Sequence, residues 1–456
     1  MRPTGMNKCP SGGYRLLSTD KMFNNKLGGL GMDSKQEKNS LFEEDAFRSV
    51  PQDERHGWWK TSFIWAGSSI CVPTIMVGAL MIKGLSFAEM VLAVIIGTVL
   101  LSIVFCLQGM EGTDTGLPTV VLARSAFGRE GAGIIISFIL ATTLICWTGS
   151  DCQIAGESFI QILTLNNIHW NREATIIVLG IIMLTVSILG EKIISKLNII
   201  AVPALILLCI YGMVTCLQDI SFMELVKASP VEPISLAEGV AMVFGMQAVG
   251  STISPDYHRF CRDRKGSCLA AVVGIIPYCL FLFIAGSVMG AATGESDISV
   301  LIAKLGLPII GLIILVLATW TTMACDAYTG GLAITSLLHL SGKKRAAATA
   351  VAGIVGILLA VFGIMNYFTN FLDLMASCIP PVAGVMITDY WLLKHGKVEN
   401  WEERPGFHWN GIICLICGVL AALFLPFGFP TINGILVSGI LYFLTMKLTS
   451  PTATQS

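Results

Sequence analysis

Phe63-Ile64-Trp65-Ala66-Gly67-Ser68-Ser69-Ile70-Cys71-Val72-Pro73-Thr74 is an apolar stretch that breaks in its middle. The run gives way to Gly and Ser, then meets a proline that cannot donate to a helix ladder. The same interruption recurs in Phe244-Gly245-Met246-Gln247-Ala248-Val249-Gly250-Ser251-Thr252-Ile253-Ser254-Pro255-Asp256. Counted along the chain, these are the first and the sixth hydrophobic segments. Backbone freed at membrane depth is tolerated only where it is buried in protein or lines a cavity. Paired discontinuities in corresponding halves therefore mark the substrate and ion site of a secondary transporter. The plain alternative is two ordinary proline kinks, which are common in membrane helices.

The 456 residues are 54% hydrophobic and only 13% charged, whereas a soluble domain carries about a quarter charged residues. The composition is that of an all-α polytopic membrane protein. About twelve stretches are long enough for a hydrocarbon core of roughly 30 Å, which takes around 20 helical residues. They start near positions 58, 88, 131, 172, 193, 237, 268, 307, 345, 368, 409 and 430. Spans one and six are broken, and spans three and eight are long with polar residues at mid-depth. That correspondence predicts a five-plus-five inverted repeat, residues 58–216 and 237–394, followed by two additional helices over 409–448.

Lysine and arginine fall unevenly between alternate loops. One set holds fourteen, among them Arg124, Arg129, Arg259, Arg262 and Arg264, and the other only Lys83, Arg172, Lys227 and Lys304. The rich side is expected to be cytoplasmic, with both termini on it and the chain in a plasma (inner) membrane. Residues 1–57 read as a polar cytoplasmic tail without fixed structure or secretory signal. Met1 and Met32 are both candidate starts, and Gly28-Gly29-Leu30-Gly31 follows no strand and cradles no phosphate. Most of the fourteen cysteines lie in apolar spans. Even Cys414-Leu415-Ile416-Cys417 lacks polar company and reads as small core residues rather than a metal or redox site.

Ionisable residues inside a span are functional candidates because they are costly there. Trp147 and Asp151 are four apart in span three and share one helix face, with Glu157 further out. In span eight, Trp320-Thr321-Thr322 precedes Asp326; in span six, Gln247 and Ser251 are again four apart. The two acids could instead be paired structurally with each other or with backbone. Thr321 and Thr322, with carbonyls from the break in span one, could form an all-oxygen cage for a hard monovalent cation, although threonine often bonds back to its own helix. Together with Thr74, the residues Trp147, Asp151, Gln247, Ser251 and Asp326 are the candidate substrate ligands.

At these residues the sequence resembles the nucleobase–cation symporter-1 family, and within it the bacterial cytosine permeases. The resemblance runs in order over about residues 57–395. It is carried by Leu122-Ala123-Arg124-Ser125-Ala126-Phe127-Gly128, Asp256-Tyr257-His258-Arg259-Phe260, Trp320-Thr321-Thr322, Ile379-Pro380-Pro381-Val382-Ala383-Gly384-Val385 and Asp389-Tyr390. It implies a LeuT-type fold and uptake of a nucleobase or related ring with Na⁺ or H⁺. It also implies a cation held by the carbonyls of Gly67, Ile70 and Ala318 and the hydroxyls of Thr321 and Thr322. Trp147 would stack the planar substrate, and Asp151 falls where some relatives place a ring-binding glutamine. Three departures concern the substrate side. Gln247 stands for an aromatic, Leu144 for a glutamine, and Met323-Ala324-Cys325-Asp326 for an Asn-rich stretch.

The leading expectation is a Na⁺-coupled symporter of a cytosine-like planar heterocycle that works by alternating access, with span ten closing over the site. One inward charge is worth about 2.3 kcal/mol per 100 mV, enough for scavenging. The alternative is proton coupling through Asp151 or Asp326, with an aminopyrimidine, thiamine-like or other cationic substrate. A channel would show a ring of like residues or repeated pore loops, and neither is found. An enzyme would need a site such as His258 and Asp256, but His258 lies at the basic end, where charge pairing with Arg259 and Arg262 is the simpler expectation. The bilayer and the small heterocycle are the expected partners; no nucleic acid and no obligate protein partner are.

Overall fold

The computed structural model describes residues 49–189, 191–219, 221–227, 229–305, 308–340 and 344–449. Expectations for most of the N-terminal tail, including the glycine run and the choice of start, lie outside these residues. The principal helices are α1 (Trp58–Ser69), α2 (Val72–Gly84), α3 (Phe87–Thr115), α4 (Arg129–Leu165), α5 (Arg172–Leu189), α6 (Glu191–Asp219) and α7 (Leu236–Thr252). They continue as α8 (Arg264–Thr293), α9 (Pro308–Leu337), α10 (Arg345–Val361), α11 (Phe368–Cys378), α12 (Pro380–Ile387), α13 (Trp409–Phe424) and α14 (Pro430–Thr449).

With α1–α2 and α11–α12 each taken as one span, every start lies within four residues of the position expected from hydropathy. Among the described residues, seven helical segments are long and apolar enough to cross a membrane unaided, and α1 with α2 adds an eighth as a bent pair. The remaining four, α5, α7, α10 and α13, have 18, 17, 17 and 16 residues. They are up to about a turn short of a full crossing of around 20 residues.

Both predicted interruptions are real breaks. The axes of α1 and α2 differ by 58°, and the chain passes between them through Ile70 (φ −86°, ψ 82°) and the extended Cys71 (φ −137°, ψ 156°). Pro73 lies in the first turn of α2, where a missing N–H costs nothing. It starts the second half-helix rather than kinking a continuous one. In span six the backbone leaves helical geometry at Gln247 (φ −122°, ψ 17°) and the helix ends at Thr252; Pro255 then opens the short helix Pro255–His258.

Packing sorts the spans into two groups. Helices α1, α2, α3, α7 and α8 pack on one another, and α4, α5, α9 and α10 form the second group. Each group takes two neighbouring spans from one half of the chain and the two lying five further on, as a five-plus-five repeat requires. Backbones meet directly where α2 crosses α8. A Cβ on Gly286 would lie 1.9 Å from the Ile75 carbonyl oxygen, and one on Gly78 would lie 2.2 Å from that of Phe283. Phe138, Leu207, Ile310 and Leu358 are exposed, as lipid-facing residues are.

The two sets of loops separate in space. At one end, Arg124 and Arg129 pair with Glu403, and Arg264 grips Asp114 with Nε and Nη2 at 2.8 and 2.7 Å. There too Asp389, in a π-helical turn over Thr388–Leu393, takes Lys394 at 2.8 Å and Tyr442 at 3.0 Å. The other end carries Arg172–Glu157 at 2.5 Å and Lys304–Glu295 at 2.7 Å. Residues 49–57 of the tail expected to lack structure are held by specific hydrogen bonds. Val50 N donates to Gly116 O at 2.9 Å, and the buried Arg55 guanidinium donates to the Thr113 and Val50 carbonyls. Composition alone could not reveal these anchors, because two of the carbonyls, on Gly116 and Thr113, lie more than fifty residues away.

Candidate substrate and cation site

The break between α1 and α2 leaves polar backbone to be satisfied. A helix has no intrahelical partner for its last four carbonyls. Ala66 O takes the Ile70 amide at 3.0 Å and Ser69 O takes that of Cys71 at 3.2 Å, which leaves the carbonyls of Gly67 and Ile70 outside the ladder. Gly67 has nothing within 4 Å of the position a Cβ would occupy. Thr74 closes the break from the α2 side. Its hydroxyl lies 3.1 Å from Cys71 Sγ and 3.5 Å from Ser69 O.

In α9, the hydroxyls of Thr321 and Thr322 both donate to Ala318 O, at 2.8 and 3.2 Å. The back-bonding foreseen for threonine is therefore present. It also brings three of the five candidate cation ligands together within one turn. With the hydroxyl protons spent on Ala318, the lone pairs of Thr321 and Thr322 face away from it. Trp320 does not enter the site; its indole N–H donates to Met183 O at 3.2 Å and ties α9 to α5.

Helix α4 runs along α9, and on it Trp147 and Asp151 take their places. Trp147 is half-buried and meets Phe368 and Phe371 of α11 edge to face, at centroid distances of 5.9 and 5.1 Å. Asp151 is fully buried, and neither of its oxygens has a hydrogen-bond partner. Its electrostatic neighbour is Asp326 on α9, and Cys71 at the break lies within reach of both acids. Asp151, Asp326 and the break therefore neighbour one another, with Trp147 one turn before Asp151 on α4.

Two expected substrate ligands behave differently. Gln247 sits at the kink of α7, but its Oε1 lies beside Gly250. A Cβ on Gly250 would meet Phe105 at 3.1 Å, Gln247 Oε1 at 3.2 Å and Trp65 at 3.3 Å. Gln247 Oε1 and the edges of Phe105 and Trp65 thus all border Gly250. Ser251 is buried and spends its hydroxyl on Ala248 O at 2.7 Å.

Phe368 and Phe371 were not singled out from sequence. Their signal was an aromatic pair three apart in span ten, just before Pro380-Pro381. Phe368 also lines a cavity of about 690 Å³, with Met76, Ile154, Gln153, Glu157, Arg172 and Asn366 among its walls. That cavity opens at the end opposite the basic loops. Gln153 Oε1 accepts the Met365 amide at 3.0 Å, fixing the start of span ten against α4. Phe368 thus stands between the outer cavity and Trp147.

Residues 49–443 match the family described as permease for cytosine/purines, uracil, thiamine, allantoin. The chain belongs to this permease family. Cytosine permease of Escherichia coli strain K12 is 29% identical over 398 residues, covering 87% of this chain and 92% of that protein. Allantoin permease of Bacillus subtilis strain 168 is 25% identical over 475 residues, 92% of this chain and 96% of the relative. Among solved structures, the inward-facing conformation of Mhp1 aligns with a TM-score of 0.77 at 18% identity, covering 88% of this chain and 93% of that one. The fold of this family member is accordingly the LeuT-type arrangement of about twelve membrane helices with two broken spans. Trp147, Asp151, Asp326, Thr321 and Thr322 all lie within the segment matched to the cytosine/purine permeases.

Proposed function

We propose that the protein imports a cytosine-like nucleobase or related planar nitrogen heterocycle together with Na⁺, by alternating access, across a plasma (inner) membrane. The observation that carries this reading is Trp147. An indole at mid-span, edge-on to Phe368 and Phe371 and below an outer cavity, offers a flat ring a face to stack on. Asp151 and Asp326 supply acceptors for ring-edge donors, and buried acceptors left unpaired penalise the wrong ring. The cation is assigned to the carbonyls of Gly67, Ile70 and Ala318 with the hydroxyls of Thr321 and Thr322, an all-oxygen set of the kind hard cations favour. The separation of lysine- and arginine-rich loops from lysine- and arginine-poor ones supports cytoplasmic termini.

A second reading draws on Asp151. A fully buried carboxylate without a donor is costly unless it holds a proton or meets a cation. Proton coupling through Asp151 and Asp326, or a substrate with an amino group or positive charge, would each satisfy it. Thr322→Ala separates the two. It abolishes Na⁺-dependent uptake if the ion sits at α9, and spares uptake if the coupling ion is a proton on the acids.

A further inference from the structure

The segment that follows α7 straps down the inner half of the first broken span. Trp65, one turn before the break, donates its indole N–H to His258 Nε2 at 2.8 Å. His258 Nδ1 lies 2.7 Å from Ser267 Oγ at the start of α8, and its carbonyl accepts the Thr113 hydroxyl of α3 at 2.9 Å. Both ring nitrogens are therefore taken, and the charge pairing expected at this end falls to Asp256 with Arg259. An indole N–H only donates, so Nε2 is bare and Nδ1 carries the proton given to Ser267. Burial pushes the imidazole pKa down to about 3, which keeps this neutral form in place. Gly109 makes room, since a Cβ there would lie 2.4 Å from Nδ1. The Trp65 ring is wedged edge-on between Phe105 and Tyr257 at 4.7 and 4.9 Å. Two further ties run from the same segment, His56 N to Phe260 O at 2.8 Å and Arg262 Nε to Arg55 O at 3.2 Å.

We infer that His258 is a positioning residue of the transport cycle: through Trp65 it holds α1 against α3 and α8, and so holds the Gly67 and Ile70 carbonyls at the end of α1. The inference rests on the transporter reading above. Loss of this bond loosens the inner half-helix without detaching it, because α1 also packs on α8 at Gly274, where a Cβ would lie 2.8 Å from Ser62 O.

The test uses the full-length chain freed of its own cysteines, with Ser62→Cys as reporter. Ser62 is buried on α1. Labelling by a membrane-impermeant maleimide is timed in inside-out vesicles. Trp65→Phe and His258→Phe each speed labelling roughly three- to tenfold, the effect of one buried hydrogen bond on an opening equilibrium. The double variant adds little beyond either single, because both lose the same bond. Ser267→Ala, the milder change, gives a smaller increase and covers the case in which His258→Phe does not fold. Unchanged labelling in Trp65→Phe and Ser267→Ala, with only a lower Tm, would overturn the assignment and leave His258 a packing residue. Failure of the transporter reading would show separately, as absence of heterocycle uptake by the unaltered chain.

Discussion

Trp147→Ala raises the KM for the transported heterocycle by roughly ten- to a hundredfold, with a smaller change in the amount of folded protein. A base stacked on an aromatic side chain is worth about 1–3 kcal/mol by alanine substitution. Trp147 is only half-buried, so part of its ring is available to substrate rather than committed to the core. Its other contacts, Phe368 and Phe371 at 5.9 and 5.1 Å, would close into the vacated space and narrow the pocket. Trp147→Phe keeps a ring and recovers most of the affinity. The measurement is the concentration dependence of uptake for the three proteins, normalised to protein in the membrane. Equal KM values across the series would remove Trp147 from the site.

Asp151→Asn changes which substrates are taken up. The substitution keeps shape and removes charge. Where the carboxylate accepts from an amino group or a cation, loss of that charge-assisted bond costs about 1.5–3 kcal/mol, roughly ten- to a hundredfold in affinity. Uptake of aminopyrimidines and cationic rings falls by that factor, whereas neutral rings such as uracil or hydantoin are spared. Competition against a labelled substrate reads both arms in one assay. If neutral uracil or hydantoin outcompetes every aminopyrimidine in the unaltered protein, Asp151 and Asp326 do not select for an amino group or a positive charge. Asp151 would then carry a proton instead, and Asp151→Asn would uncouple uptake from the pH gradient.

Much of the fold was legible because membrane helices announce themselves by length and apolarity, and because breakers at mid-depth have few explanations. The Gly-Ser-Ser run before Pro73 located the first break to within two residues of its extended point at Cys71. The pairing of Trp147 with Asp151 on one face followed from helical spacing alone. Direction across helices was harder to read. Spacing places Gln247 and Ser251 on one face of α7. It does not say that Gln247 Oε1 lies beside Gly250, or that Ser251 bonds its own backbone.

Partners distant in sequence were invisible for the same reason. Trp65 and His258 are 193 residues apart, and neither shows its partner in local composition. Phe368 and Phe371 read as ordinary apolar residues until α11 was seen beside α4. Residues 49–57 looked like tail because their polar groups find their acceptors elsewhere in the chain.

Uptake of labelled cytosine into proteoliposomes, with and without an inward Na⁺ gradient, tests the central claim most directly. Na⁺-stimulated accumulation above equilibrium, lost in Thr322→Ala, is the predicted result. Accumulation that follows an imposed pH gradient and is indifferent to Na⁺ would contradict the cation site at α1 and α9, and would give the coupling role to Asp151 and Asp326.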